Sequence, residues 1–508
     1  MAIRVSGLNS GLDTEAIVSA LVSSYSVKKT KIEKSQTKLS WKQDAWKDAN
    51  AKIYSLYTSL DNFRYEKSYN LKKASISDAT KATISASNDA FTGSQKLEIT
   101  QVAQTGFMTG GILKTVAAEG EEAPKLTSGT KLSELGFTGE TATISVTIGS
   151  GENAKTEEIE VTKDMTLADL TAKLSEKGVK ASFDSAQQRL YLNAKESGAA
   201  GDFTLGGDSD VLSILGLVEG DESSEDPTLA KKIAGQDAII KLNDVKYTSN
   251  TGSFSINGLN IQALNKTDGA VTINVQNDTQ GLYDKIKEFF SNYNSVINEL
   301  QSLYNAESAK GYEPLSEEEK DAMSDTQVEK WEKKIKDSIL RRDTTLGTII
   351  NTMTVAMQKS FSVGDENVSL GTFGIQTLGF LNAKENEQYA YHIAGDADDE
   401  DSSSKTDKLM KALNEDPDKV ASFFSQLTQN LYTELDAKMK STTMSSAYKV
   451  YNDKEMASEY SDYTKQIKKW EDKLHDMEDR YFKQFTAMEK ALAQLNSSSS
   501  ALTGMIGQ

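Results

Sequence analysis

The sequence predicts an α+β multidomain protein: a long helical coiled-coil leg formed by both termini, with a β-rich head inserted between them. Near the N-terminus Tyr25, Ile32, Leu39, Trp46, Ile53 and Leu60 recur every seven residues. Near the C-terminus Tyr460, Tyr463, Ile467, Trp470, Leu474, Met477 and Tyr481 step by alternating threes and fours. Phe485, Met488, Leu492 and Leu495 continue after one extra four-residue step. Such spacing keeps apolar side chains on one helix face for a partner helix, and the consecutive four-residue steps through Tyr481 resemble a stutter that locally unwinds a supercoil. Between these ends, from about Lys72 to Asn277, the period falls to 2 and the composition turns to Thr, Ser, Gly, Val and Ile, as half-buried strands require.

The packing residues assigned to the leg are Ile32, Leu39, Trp46, Ile53 and Leu60 on one helix and Ile467, Trp470, Leu474, Met477, Tyr481 and Phe485 on the other. Two ordinary amphipathic helices in a compact core are the alternative. Ahead of the first helix Gly7, Asn9, Ser10 and Gly11 are poor helix formers, so Gly7, Leu8, Asn9, Ser10, Gly11 and Leu12 are expected to be mobile. Between Tyr25 and Lys73 twelve Lys or Arg stand against five acids. This basic face reads first as solvated, with a docking surface for an acidic helix as the alternative.

In the β-rich middle, Ile144, Val146 and Ile148 alternate with Thr143, Ser145 and Thr147, and Val271, Ile273 and Val275 alternate with Thr272 and Asn274. Asn257-Gly258 between Ile256 and Leu259 marks a two-residue hairpin turn. Thr166 with Asp169 caps a helix whose Leu167, Leu170 and Leu174 share a face, and Gly178 ends it. A strand at Val179, Ala181 and Phe183 then turns into Leu190-Tyr191-Leu192. This ββαββ module, 126–218, is expected to be inserted into a β-rich domain made of 70–125 and 219–277. Acidic stretches near Glu119 and Glu219 mark the joins and are expected to be disordered.

After Asn277 the chain returns to helices. Leu282, Ile286, Phe289, Tyr293, Val296, Leu300 and Leu303 form one stripe. Ser316 with Glu319, Asp343, and Asp416-Pro417 open three more helices. A β excursion at 360–394 interrupts this helical domain, 278–450. The remaining units are 1–69, the N-terminal leg helices, and 451–508, the C-terminal coiled-coil helix and tail.

Composition removes several function classes. The chain has 508 residues and a formal net charge of -18, whereas a nucleic-acid partner needs a basic surface. With no cysteine it has no disulfide, thiolate metal site or cysteine nucleophile. No apolar run reaches the length of a membrane span, and the N-terminus lacks the pattern of a cleaved signal peptide. Only His392 and His475 are present, the first in a strand context and the second facing solvent. No phosphate-binding loop, dinucleotide fingerprint or zinc signature occurs, so catalytic, cofactor-binding and metal residues are all expected to be absent. The run Asp396 to Asp401 lacks the glycine and glutamate of a calcium loop and is expected to be a disordered acidic loop.

The string VSGLNSGLDTEAIVSALV, Val5 to Val22, followed by a lysine-rich helix with Trp41 and Trp46, resembles the start of the flagellar hook-associated protein 2 family, the filament caps of bacterial flagella. Thr166 to Leu205, ending in Ala194-Lys195-Glu196-Ser197-Gly198, is similar to a module shared by flagellins and their caps. Further matches are Ile256 to Leu259, Tyr293-Asn294, Tyr312 to Ser316, Leu370-Gly371 and Gly374-Ile375. The likeness covers nearly the whole chain in order, with the acidic loop Asp396 to Lys405 as a departure.

The resemblance implies a non-enzymatic cap, exported uncleaved and largely unfolded through the flagellar channel, where disulfides have no use. It further implies a homo-oligomeric ring, a pentamer by preference, at the filament tip, retaining flagellin and promoting its folding and insertion. Flagellin subunits, the hook-filament junction protein and a cytoplasmic export chaperone before secretion are the implied partners, with no nucleic acid and no cofactor. The segment Gly7 to Leu12 is then expected to anchor the leg to the filament. Another axial protein, either flagellin or a junction protein, and a surface adhesin or glycan-active enzyme using the β-rich head remain as alternatives.

Overall fold

The computed structural model describes residues 10–115, 125–221 and 223–506, with side chains to 502. The chain divides into two compact units, 1–69 with 279–508, and 70–278. The first unit opens on α1 (Thr14–Ser59), started by Asp13, whose Oδ1 accepts the Ala16 N–H at 3.0 Å. A side-chain acceptor here satisfies one of the four free N–H groups at a helix start.

The second unit runs through β1 (Lys72–Ile76), β2 (Ala82–Ala86), β3 (Gly93–Gln101), β4 (Thr105–Thr109), β5 (Thr141–Ile148) and β6 (Lys155–Thr162). It continues with α2 (Leu167–Glu176), β7 (Val179–Asp184), β8 (Arg189–Ser197), β9 (Phe203–Gly207) and α3 (Ser209–Ile214). The return strands are β10 (Lys231–Ile233), β11 (Ala238–Leu242), β12 (Val245–Ser249), β13 (Ser253–Ile256), β14 (Leu259–Ala263) and β15 (Val271–Asn277). Antiparallel sheets β1-β15-β3-β11-β12 and β13-β14-β2 enclose one core around Leu97, Ile99, Ile240, Ile261 and Ile273. Period-2 patterning is visible in β15, where Ile273 and Val275 are buried and Thr272 and Asn274 exposed. Asn257 and Gly258 both adopt positive φ, 46° and 80°, and pair Ile256 with Leu259. A Cβ on Gly258 would stand 2.7 Å from the Ala90 nitrogen, so glycine is needed for close approach as well as for the turn.

The second core of this unit holds Ile144, Val146, Leu167, Leu170, Leu174 and Leu192. Strands β6-β5-β9 form one sheet and β10-β4-β8-β7 another. Sequence reading placed Thr105–Thr109 and Ile233 in the neighbouring β domain, yet β4 and β10 extend the sheet of β8. β4 gives β8 a hydrogen-bonded neighbour on the side away from β7, where a two-stranded sheet would leave an open edge, and β10 pairs with the far side of β4. Thr166 and Asp169 exchange hydrogen bonds at the start of α2, each at 3.1 Å. Thr166→Ala is expected to destabilise this unit by about 1 kcal/mol, the usual cost of losing a cap. Denaturant unfolding followed on the 70–278 transition checks this, and an unchanged midpoint would contradict it.

Glu119 to Glu122 lie outside the described residues. The second acidic stretch is tied down: the Gly220 N–H donates to the Ala230 carbonyl at 3.0 Å and Lys231 Nζ to the Asp221 carbonyl at 2.8 Å. The expectation of disorder there is corrected, because sequence charge does not reveal a backbone partner ten residues away.

The first unit resumes with α4 (Thr279–Asn305), α5 (Glu317–Asp321), α6 (Asp325–Asp337) and α7 (Thr344–Met357). Two short hairpins follow, β16 (Phe361–Val363) with β17 (Glu366–Val368) and β18 (Ile375–Gln376) with β19 (His392–Ile393). α8 (Lys408–Glu415), α9 (Pro417–Met439) and α10 (Asp453–Ile506) complete it. The α4 stripe is buried from Leu282 to Leu300, and Phe289 and Phe290 meet Phe424, Phe373 and Phe423 in one aromatic cluster. Asp343 and Asp416 cap α7 and α9 as expected, while the Ser316 cap opens a helix of only five residues. α6 and α8 were not anticipated, although Ser324 and Asp407 cap them.

The acidic run after β19 is also ordered. Lys287 of α4 bonds Asp396 at 2.7 Å and Asp398 at 2.6 Å, and the Gly395 N–H donates to the Ser402 carbonyl. Burial works against the Lys287 charge, but these hydrogen bonds outweigh it and raise its pKa. A lysine that sequence reading could not assign to these acids thus replaces the expected disordered loop.

Candidate functional site

α1 and α10 run antiparallel side by side. Trp46 stacks on Tyr451 at 5.4 Å, Gln36 Nε2 donates to Thr464 Oγ1 at 2.7 Å, and Lys29 bridges Glu471 at 3.0 Å. Farther along, Lys28 lies over the Trp470 ring, 5.5 Å from its centroid, and Ser10 Oγ donates to Glu489 Oε1. Positions that rise along α1 thus meet positions that fall along α10.

Of the assigned packing residues, Leu39, Trp46, Ile53, Leu60 and Met477 are buried. Ile32, Ile467, Trp470, Leu474, Tyr481 and Phe485 are half-buried. The two seams coincide only over part of their length. α10 begins at Asp453, opposite the Trp46 region, so Ile53 lies where α1 has run past it. There Tyr57 stacks on Tyr432 of α9 at 4.5 Å and Lys52 pairs with Glu299 of α4 at 2.8 Å. Leu60 caps the end of α1 on the same side. The stretch of α1 that carries these two positions thus meets α4 and α9. At the other end Tyr25 is 42% exposed, whereas Thr14 and Val18 are covered.

Two polar residues in this pair were missed. Glu489 is only 3% exposed. The four-residue step from Tyr481 to Phe485 lands next on Glu489, one place after the Met488 that an apolar pattern selects. Asn50 is buried against the segment leading into α10: its Nδ2 donates to the Tyr448 carbonyl at 3.2 Å and its Oδ1 accepts the Val450 N–H at 2.9 Å. Both backbone groups would otherwise be costly to bury. Of the proposed anchoring segment, Gly7, Leu8 and Asn9 lie outside the described residues. Ser10, Gly11 and Leu12 lead directly into the Asp13 cap, with Leu12 exposed.

The basic face of α1 finds its acids within the same unit. Lys34 bonds Glu319 at 2.6 Å, Lys42 bonds Asp343 at 2.8 Å, and Lys29 bonds Glu33 as well as Glu471. Burial opposes the Lys29 charge, yet the hydrogen bonds to the two glutamates raise its pKa overall. Exposed pairs of this kind contribute little stability each, so their effect is orientation more than strength.

Catalytic geometry does not assemble around the two histidines. His475 is exposed on α10. His392 Nδ1 and Asp399 Oδ2 are hydrogen-bonded at 2.7 Å, and although burial opposes the Asp399 charge, this bond helps hold its carboxyl below the ordinary range. His392, Asp399 and Asp401 bring ligand atoms within 4.8 Å of one another, and that hydrogen bond accounts for two of the three without a cation. Among the described residues no helix is long and apolar enough to cross a membrane.

The chain is thus of the class in which the terminal helices pair with each other and the middle of the sequence is β-rich. Residues 235–497 match the family described as flagellar hook-associated protein 2 C-terminus, and residues 10–106 its N-terminal counterpart. The chain belongs to the flagellar hook-associated protein 2 family, and it is a non-enzymatic cap of the flagellar filament. It is 24% identical to flagellar hook-associated protein 2 of Halalkalibacterium halodurans, over 98% of this chain and 99% of that one. To A-type flagellar hook-associated protein 2 of Pseudomonas aeruginosa it is 26% identical, covering 59% of this chain and 63% of the relative. Its fold is similar to the crystal structure of the flagellar cap protein FliD D1-D2-D3 domains from Escherichia coli, with a TM-score of 0.50 and 16% identity. That match covers 77% of this chain and 94% of the other.

Proposed function

We propose that copies of this chain form a ring, a pentamer, at the tip of the filament, where it retains exported flagellin and promotes its folding and insertion. The observation that carries this reading is the α1–α10 pair, a long two-helix element with polar contacts spaced along it and apolar residues left partly open at its far end. Such a seam suits contact with other helices. Flagellin subunits, the hook-filament junction protein and, before secretion, an export chaperone are the proposed partners, with export uncleaved to the cell exterior. Residues 126–218, with β4 and β10 extending the sheet of β8, are read as a flagellin-type module inserted into the β-rich domain that the rest of 70–125 and 219–277 forms. Residues 278–450 and 451–508 are read as the remaining leg domain and its C-terminal helix. Electron microscopy of purified protein tests the ring: closed assemblies of a few copies are expected, and long filaments or single copies would overturn it.

The segment Gly7 to Leu12 is proposed to anchor the leg to filament subunits. Removing Met1 to Leu12 is expected to leave the 70–278 unit folded but abolish retention at the tip. Motility of a cap-deletion strain supplied with this variant checks it. Restored filament growth would show that the anchor lies elsewhere.

A further inference from the structure

We infer that the connection leading into α10 is a strained joint, latched by Asn50 of α1, at which the start of α10 can turn away from α1. Tyr448 has φ +62°, in the left-handed region that a bulky side chain enters only under constraint. Among the described residues it is the only aromatic one at positive φ. Burial of its ring does not offset the strain, because Tyr448 is 54% exposed. The conformation is held through its main chain: the N–H donates to the Met439 carbonyl at 2.8 Å, and the carbonyl accepts Asn50 Nδ2 at 3.2 Å. One restraint comes from the end of α9 and the other from α1.

Trp46, Asn50 and Tyr54 stand four residues apart, so they share one face of α1. That face grips residues 448–451 three times. Trp46 stacks on Tyr451, Asn50 holds the Tyr448 carbonyl and the Val450 N–H, and Tyr54 meets the Tyr448 ring edge-on at 5.6 Å. The preceding part of the connection is tied to α10 instead. The Ser446 N–H donates to Asp453 Oδ1 at 2.6 Å, and the Lys454 N–H donates to the Met444 carbonyl at 3.1 Å. Residues 442–446 therefore travel with the start of α10, and the grip on 448–451 decides how that body sits against α1. Once Asn50 lets go, Tyr448 relaxes to ordinary backbone, and this relaxation opposes the return. A residue with two discrete backbone arrangements switches where a uniform helix would only bend.

The test uses full-length protein and does not depend on the ring. Tyr448→Gly and Tyr448→Ala remove the same ring contact at an exposed position, and glycine is ordinarily the looser residue. Strain at Tyr448 reverses that order. Because glycine accepts positive φ, amide exchange over 450–456, corrected for intrinsic rates, is expected to be about fivefold slower in Tyr448→Gly than in Tyr448→Ala. Asn50→Ala loses both latch bonds and is expected to speed the same exchange by about tenfold over the parent. Nitroxides on Lys47→Cys and Lys468→Cys, both exposed and placed in a cysteine-free chain, report the distance between α1 and α10. Asn50→Ala should broaden that distribution toward longer distances. Exchange in the glycine variant as fast as in the alanine variant, or faster, overturns the strained joint. Unchanged exchange or an unchanged distance distribution in Asn50→Ala overturns the latch.

Discussion

Trp46→Ala is expected to lower the stability of the 1–69 and 279–508 unit by about 3 to 5 kcal/mol, the usual cost of truncating a large core aromatic. Trp46 is 2% exposed and stacked on Tyr451, so its removal leaves a void and strips one ring of its partner. The corresponding change on α10 is expected to be much smaller. Trp470 is half-buried, with Lys28 and Lys473 over its ring at 5.5 and 4.6 Å, and Trp470→Ala should cost only about 1 kcal/mol. Calorimetry of both variants checks the contrast. The transition of the 70–278 unit should stay in place in each, and a single lowered transition for the whole chain would mean that the two units do not unfold independently.

Deleting Tyr460 to Gln508 is expected to open only the first half of α1. That half loses the helix that covers Thr14, Val18 and Ile32, and cleavage at Lys28, Lys29 and Lys31 should rise by roughly tenfold, because a helix without its partner is marginal in water. The second half keeps its contacts. Asn50 still holds the Tyr448 carbonyl and the Val450 N–H, and Trp46 still stacks on Tyr451, so cleavage at Lys47 and Lys52 should stay near the parent rate. Limited trypsin digestion read by mass spectrometry separates the two halves. Unchanged protection at Lys28 would show that another element covers the N-terminal half.

What the sequence determined by itself is whatever one element encodes alone. Heptad spacing marks the apolar face of α1 and of α10. Period 2 marks the strands, Thr166 with Asp169 marks the start of α2, and Asn257-Gly258 marks the β13–β14 turn. Each depends on residues a few positions apart, so each is legible without knowing what lies opposite. The resemblance to filament caps was legible for a related reason, since the motifs that carry it are short and occur in a fixed order.

Only the tertiary structure decided which partner each face meets. The spacing that places Leu39 and Trp46 near α10 also produces Ile53, but the helix start at Asp453 hands the later stretch of α1 to α4 and α9. β4 and β10 joined the sheet of β8 through pairings across long sequence separations that a local period does not contain. The acidic run after His392 was ordered by Lys287, more than a hundred residues earlier, and Glu489 was placed in a seam that hydropathy assigns to Met488. In each case periodicity fixes the direction in which a side chain points along its own element, while burial and charge pairing depend on which distant segment closes over it.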